Sequence, residues 1–236
     1  MTRLFLFLFC SLFIVTSCNK KEKIKPENDC SSGTAGELTW TTCADGTLSI
    51  SGTGSMPDYN CLMHVDPAND IIYVEGCPPW KRAPFFNYDV VTSIIINDSV
   101  TSIGNQAFSS LSGLTSVIIP NSVTSIGEEA FANCIGSMSV IIPNSVINIR
   151  SNTFVNCSAL TSVTIPNSVT SIENGAFARC SSLTEVINER TIPQMIDILV
   201  FYNINLSSLT LRVPAVSLDA YRVAPVWKNF GNIVAI

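Results

Sequence analysis

The chain has 236 residues, 47% of them hydrophobic and 13% charged, with a formal net charge of −5. Eighteen acids against thirteen bases, with no basic cluster beyond a short stretch near the amino terminus, argue against a nucleic-acid partner. A single histidine, His64, excludes any multi-histidine metal site.

The chain opens with Arg3 and an almost wholly apolar run from Leu4 to Val15. About 12 residues fall well short of the ~20 that cross a bilayer as a helix, so residues 1–17 read as a secretory signal peptide. The run ends in Val15-Thr16-Ser17-Cys18, which resembles the bacterial lipobox. The resemblance implies cleavage before Cys18 and lipid on its sulfur and amine. Each buried methylene adds about 0.8 kcal/mol, so several acyl chains anchor far more firmly than one. Loss of residues 1–17 removes one base, Arg3, and takes the formal charge from −5 to −6. Residues 18–29 are rich in charge and, after Cys18, hold one apolar residue besides proline, Ile24. They read as a solvated tether.

Residues 30–89 form a front segment with Cys30, Cys43, Cys61 and Cys77. In an exported protein such cysteines form disulfides, and several pairings are possible. Cys30–Cys43 and Cys61–Cys77 are favoured, because the first pair flanks a hairpin and the second closes an insertion with little regular pattern. That insertion, Pro57 to Trp80, carries Tyr59, His64 and Tyr73. It is either a binding loop or aromatic packing of the front end. His64 reads as a loop residue, and the spacing of Asp66, Asp70 and Glu75 fits no calcium loop. Gly52-Thr53-Gly54 is a turn rather than a phosphate cradle.

From Val91 the chain repeats itself every 23 residues. Val91-Thr92-Ser93-Ile94-Ile95-Ile96, Leu114-Thr115-Ser116-Val117-Ile118-Ile119, Ser137-Met138-Ser139-Val140-Ile141-Ile142 and Leu160-Thr161-Ser162-Val163-Thr164-Ile165 align. Each leads to Ser-Val, then to Ile103, Ile126, Ile149 or Ile172, then to Phe108, Phe131, Phe154 or Phe177. A fixed period of roughly 20–50 residues signals a solenoid whose units bury their apolar faces only against neighbours. Alternation points Leu114, Val117 and Ile119 inward and Ser116 and Ile118 outward. Pro120-Asn121-Ser122 turns the chain, and Val123 and Ile126 re-enter the core on a short second strand. Residues 127–134 suit a helical turn with Ala130, Phe131 and Cys134 inward. Cys134, Cys157 and Cys180 share one repeat position with Leu111, so they are expected to be buried free thiols.

These units resemble BspA-type leucine-rich repeats, which occur on bacterial surface lipoproteins. Four run without a gap from about 91 to 182, and a degenerate fifth begins at Leu183 before the spacing breaks at Ile192-Pro193. Leu38-Thr39-Trp40 with residues 46–54 resembles the family's β-rich opening segment. Val213-Pro214-Ala215, Asp219-Ala220-Tyr221, Trp227-Lys228-Asn229-Phe230 and Ile233 to Ile236 resemble its closing cap. The resemblance implies a mainly β fold with short helical turns: a right-handed solenoid over 90–208, between an N-terminal cap segment at 30–89 and a C-terminal cap at 209–236.

No residue constellation points to catalysis, so the expectation is a non-enzyme without cofactor or metal. The outward strand row is the candidate binding surface: Ser93, Ser116, Ser139, Ser162 and Glu185 alternate with Ile95, Ile118, Ile141, Thr164 and Ile187. Either the row docks a partner or it reflects β propensity copied with the repeat. Asp98-Ser99-Val100 resembles an O-glycosylation sequon, although Ser99 also belongs to the repeat's own serine row. The family resemblance implies an outer-membrane lipoprotein at the cell surface, or facing the periplasm. Its monomeric domain would bind a host matrix protein, a mucin or another cell's surface. The alternative is a structural subunit of an envelope complex.

Overall fold

Strand, turn, short strand and turn follow one another along the computed structural model, which describes residues 30–60, 62–66, 71–75, 77–79, 91–136 and 138–236. For 62–66, 71–75 and Ser139 it describes the backbone alone. The predicted signal peptide, Cys18, the tether, Cys61 and Trp80 lie outside the described residues.

The unit beginning at Leu114 shows how the sequence makes the fold. Strand Ser116–Ile118 buries Val117 and exposes Ser116 and Ile118. Pro120 has no N–H to give a ladder, and the strand stops before it. The Val123 N–H donates to the Pro120 carbonyl at 3.1 Å and closes a turn over Asn121 and Ser122. Strand Ser125–Ile126 then turns Ile126 into the core. Parallel pairing sets Ile94 beside Val117 and Val117 beside Val140. On the second sheet it sets Ile103, Ile126, Ile149 and Ile172 in one file. Each apolar residue therefore packs on its own copy one unit away, and the core is built of columns.

Residues 127–134 depart from the helical turn that the sequence predicts; they form consecutive tight turns. The N–H groups of Ala130, Ala132 and Cys134 donate three residues back, to Gly127, Glu129 and Phe131. The alternate N–H groups of Glu129, Phe131 and Asn133 donate to Ser151, Thr153 and Val155 of the next unit. Glu129 and Asn133 adopt φ of 54° and 59°. Positive φ stops a helix from propagating, yet here it turns every second N–H toward a neighbour, so none is orphaned. The same conformation returns at Gln106, Asn152 and Gly175, and at Ser110, Asn156 and Arg179.

Inside these turns the phenylalanines stack. Ring centroids are 5.4 Å apart for Phe108 and Phe131, 5.5 Å for Phe131 and Phe154, and 5.6 Å for Phe154 and Phe177. The file continues to Phe201 at 5.8 Å and ends edge-on against Trp227 and Phe230. Cys134, Cys157 and Cys180 are free and buried beside it. Each thiol donates to a phenylalanine carbonyl of the preceding unit, those of Phe108, Phe131 and Phe154, at 3.1–3.2 Å.

The outer strands form one long sheet. Six strands run in the order Cys30–Ala35, Leu38–Cys43, Thr47–Gly52, Ser93–Ile96, Ser116–Ile118 and Ser139–Val140. A bridge between Ile141 and Thr164 carries the pairing on to Ser162–Ile165, Glu185–Asn188, Thr210–Val213 and Asn232–Ala235. The front pairs are antiparallel and the rest parallel. A disulfide joins Cys30 to Cys43 across the first hairpin. Cys77 is buried and also disulfide-bonded, with its partner outside the described residues.

The insertion and His64 depart from the sequence expectation, whereas the break at Ile192-Pro193 falls where the spacing places it. The insertion contains an antiparallel pair, Leu62–Asp66 with Ile71–Glu75, and His64 lies in a strand opposite Tyr73 rather than in a loop. Two β-prone runs flanking Pro67-Ala68-Asn69-Asp70 carried that hairpin signal. The spacing break at Ile192-Pro193 is an excursion fastened from below by buried polar groups. Asn188 Nδ2 donates to Gln194 Oε1 at 2.8 Å, and Gln194 Nε2 donates to the Val169 carbonyl at 3.0 Å. From the carboxyl end, Trp227 Nε1 donates to the Gln194 carbonyl at 2.8 Å and Tyr221 OH to the Arg190 carbonyl at 3.1 Å.

Candidate functional site

The outer face of the long sheet displays the predicted row. Residue exposure is 47% at Ile95, 62% at Ile118 and 73% at Ile141, all large for isoleucine in a strand. Register keeps them together: Ile95 pairs with Ile118, and Ile141 follows directly on the Val117–Val140 pair. Adjacent strands lie ~4.8 Å apart, so the three side chains form one continuous apolar ladder. Ser116 and Ser162 are exposed and Ser93 half-buried beside it. The ladder then changes character. Thr164 and Ile187 are half-buried, and Glu185 is held by an ion pair to Arg212.

The pairing also brings in residues outside the predicted row. Thr47 and Ser49 stand in register with Ser93 and Ile95 at the front. Thr210 and Arg212 stand in register with Glu185 and Ile187 at the back. Alternation within those strands was readable; their register with the repeats was not, because they lie outside the 23-residue period. Just ahead of the second-sheet strand Asn148–Ile149, Ile147 is also exposed, but Thr124 and Thr170 flank it in the period and no ladder forms. Ser99 is exposed, and its N–H is held by Asn97 Oδ1 at 3.0 Å.

The buried thiols are poor candidates for chemistry. Burial pushes Cys157 well above the usual thiol value of 9.0, with the Cys134 and Cys180 thiols adding to the rise. Burial raises Cys180 to about 12. A thiol protonated longer in the folded state than in the unfolded one stabilises fully below the unfolded value. That stabilisation is lost as pH rises from 9.0 toward about 12. At pH 8 the folded protein should leave Cys134, Cys157 and Cys180 unalkylated, and unfolding should expose all of them; labelling with iodoacetamide and mass spectrometry reads this directly.

Among the described residues no group of histidines, cysteines or acids is arranged to hold a metal ion. No helix among them is long and apolar enough to cross a membrane. A family model described as "BspA type Leucine rich repeat region" matches residues 82–207 in six copies, more than half of the chain. The chain belongs to the BspA-type leucine-rich repeat family. The six copies exceed the four full units and degenerate fifth legible from spacing, because the match begins ahead of Val91 and extends past the break at Ile192.

The leucine-rich repeat fold is also seen in solved structures. A leucine-rich repeat protein from Eubacterium ventriosum aligns over 88% of this chain and 68% of its own, at 19% identity and a TM-score of 0.50. The T. pallidum leucine rich repeat protein aligns over 84% of this chain and 93% of its own, at 19% identity and a TM-score of 0.51. At these identities the likeness is one of fold. No curated protein matches the chain.

Proposed function

We propose that the protein is a non-enzymatic cell-envelope lipoprotein, anchored through Cys18, whose repeat domain docks a macromolecular partner on the outer face of its long sheet. The contact is adhesin-like, with a host matrix protein, a mucin or another cell's surface. The observation that supports this reading is the exposed Ile95, Ile118 and Ile141 ladder. Solvent-facing strand positions ordinarily carry polar residues, and contiguous apolar patches on soluble proteins mark contact surfaces. A ladder of isoleucines complements apolar groups on a protein better than the hydroxyls of a sugar, which favours a protein partner. Family membership agrees, since leucine-rich repeat domains present surfaces rather than catalytic pockets. Residues 18–29 would hold that surface off the membrane. Ser99, exposed at its turn, would carry a glycan if the sequon is used.

The test is an array of matrix proteins and mucins probed with the full chain in detergent. Saturable binding to at least one of them is expected, and silence across the array removes the adhesin reading. Protease treatment of intact cells then separates a surface protein, which is degraded, from a periplasmic scaffold, which is protected.

A further inference from the structure

The repeat supplies its own control, because a position that departs from its copies departs for a reason. Three departures meet on the turn side between the fourth and fifth units. The first is Arg179, which holds φ of 59° where the preceding units place Asn156, Asn133 and Ser110. Asparagine tolerates the left-handed region and arginine does so poorly, so the exchange strains the backbone. The Arg179 side chain is exposed, and among the described residues no carboxylate pairs with it.

The second departure is Gly175, with φ of 73°, in the place of Asn152, Glu129 and Gln106. A Cβ at Gly175 would fall 2.0 Å from Asn152 Oδ1, so the glycine lets the Asn152 amide lie against bare backbone. The third is Tyr202. Arg179 N–H donates to its carbonyl as Asn156 N–H donates to Ala178 and Asn133 N–H to Val155. An exposed aromatic ring therefore replaces alanine and valine. Tyr202 is 54% exposed and Leu199, beside it, 42%.

Together these residues, with Asn174, line an open depression of about 440 Å³. That size lies within the range of ligand sites, roughly 300–1,000 Å³. Its chemistry is a guanidinium, a tyrosine ring and two side-chain amides. A guanidinium takes a carboxylate through two parallel hydrogen bonds. An aromatic ring offers an apolar face to the C–H side of a sugar, and amides both donate to and accept from ring hydroxyls.

We propose that this depression binds a carboxylated sugar, with Arg179 on the carboxylate, Tyr202 under the ring, and Asn152 and Asn174 on the hydroxyls. An acidic peptide fits less well. The N–H groups of Asn152, Gly175 and Arg179 are already engaged within the turn ladder, which leaves no backbone donor for a second chain. The site is on the turn side and not on the sheet, so it stands or falls independently of the isoleucine ladder.

The test titrates the full chain in detergent, by isothermal calorimetry, with tetragalacturonate, its methyl ester and tetraglutamate. Tetragalacturonate should bind at least tenfold more tightly than the uncharged ester or the peptide. Arg179→Asn restores the residue of the neighbouring units; it should keep or raise the Tm and weaken tetragalacturonate at least tenfold. Tyr202→Ala should weaken it several-fold, while Ile118→Ser binds it as the wild type does. No saturable binding, unchanged affinity in folded Arg179→Asn, or equal binding of tetraglutamate would each overturn the assignment.

Discussion

Phe154→Ala destabilises the domain by about 3–5 kcal/mol, the usual cost of emptying a large aromatic site in a rigid core. Its ring is sandwiched between Phe131 and Phe177 at 5.5 and 5.6 Å, nearly parallel to both. Neither neighbour can move into the gap without leaving its own unit, because the turns on either side are locked by alternating hydrogen bonds. The Phe154 carbonyl also receives the Cys180 thiol, so any backbone shift there loosens the next unit. In a solenoid each unit is held only by its neighbours, and a weak link in the middle divides the structure. Denaturation in urea should therefore show a lower midpoint and a broadened or split transition. A loss below about 1 kcal/mol with a single sharp transition would mean that the column carries little of the stability.

Trp227→Ala has a comparable effect by a different route, again about 3–5 kcal/mol. Trp227 closes the phenylalanine file, packing edge-on against Phe201 at 6.0 Å and against Tyr221 at 5.6 Å. It also ties the chain end to the excursion through its hydrogen bond to the Gln194 carbonyl. Without it the last unit exposes Phe201, and Gln194 loses a buried partner. Fraying should begin at the carboxyl end. Hydrogen exchange should accelerate first in Thr210–Val213 and Glu185–Asn188 and leave Ser116–Ile118 protected. Uniform acceleration along the sheet would contradict a local role for the cap.

What the sequence made legible was whatever the period writes many times. The inward set of Val117, Ile119, Val123, Ile126, Phe131 and Cys134 is buried, because alternation and repetition both constrain it. The turn segment was misread as helical because Gly127-Glu128-Glu129-Ala130 has ordinary helix composition, while positive φ at Glu129 and Asn133 serves hydrogen bonds to the next unit. No local propensity encodes a bond to a residue 22 positions away, such as that from Glu129 to Ser151. The Asn188–Gln194 clamp was hidden for the same reason, as its polar groups lie in a stretch where the period fails. Of the candidate row, exposure of Ile95, Ile118 and Ile141 followed from strand alternation. The pairing of Glu185 with Arg212 was not visible, since Arg212 belongs to no unit of the repeat.

The isoleucine ladder is where the functional account is most exposed to test. Ile118→Ser with Ile141→Ser removes two apolar groups that face water, so stability should change by no more than about 0.5 kcal/mol at each site. The decisive measurement compares this double variant with the wild type on the partner recovered from the array, by surface plasmon resonance, with Tm recorded for both. An unchanged Tm and at least a tenfold loss of affinity are expected. Full affinity in a folded double variant would place the docking surface elsewhere on the molecule.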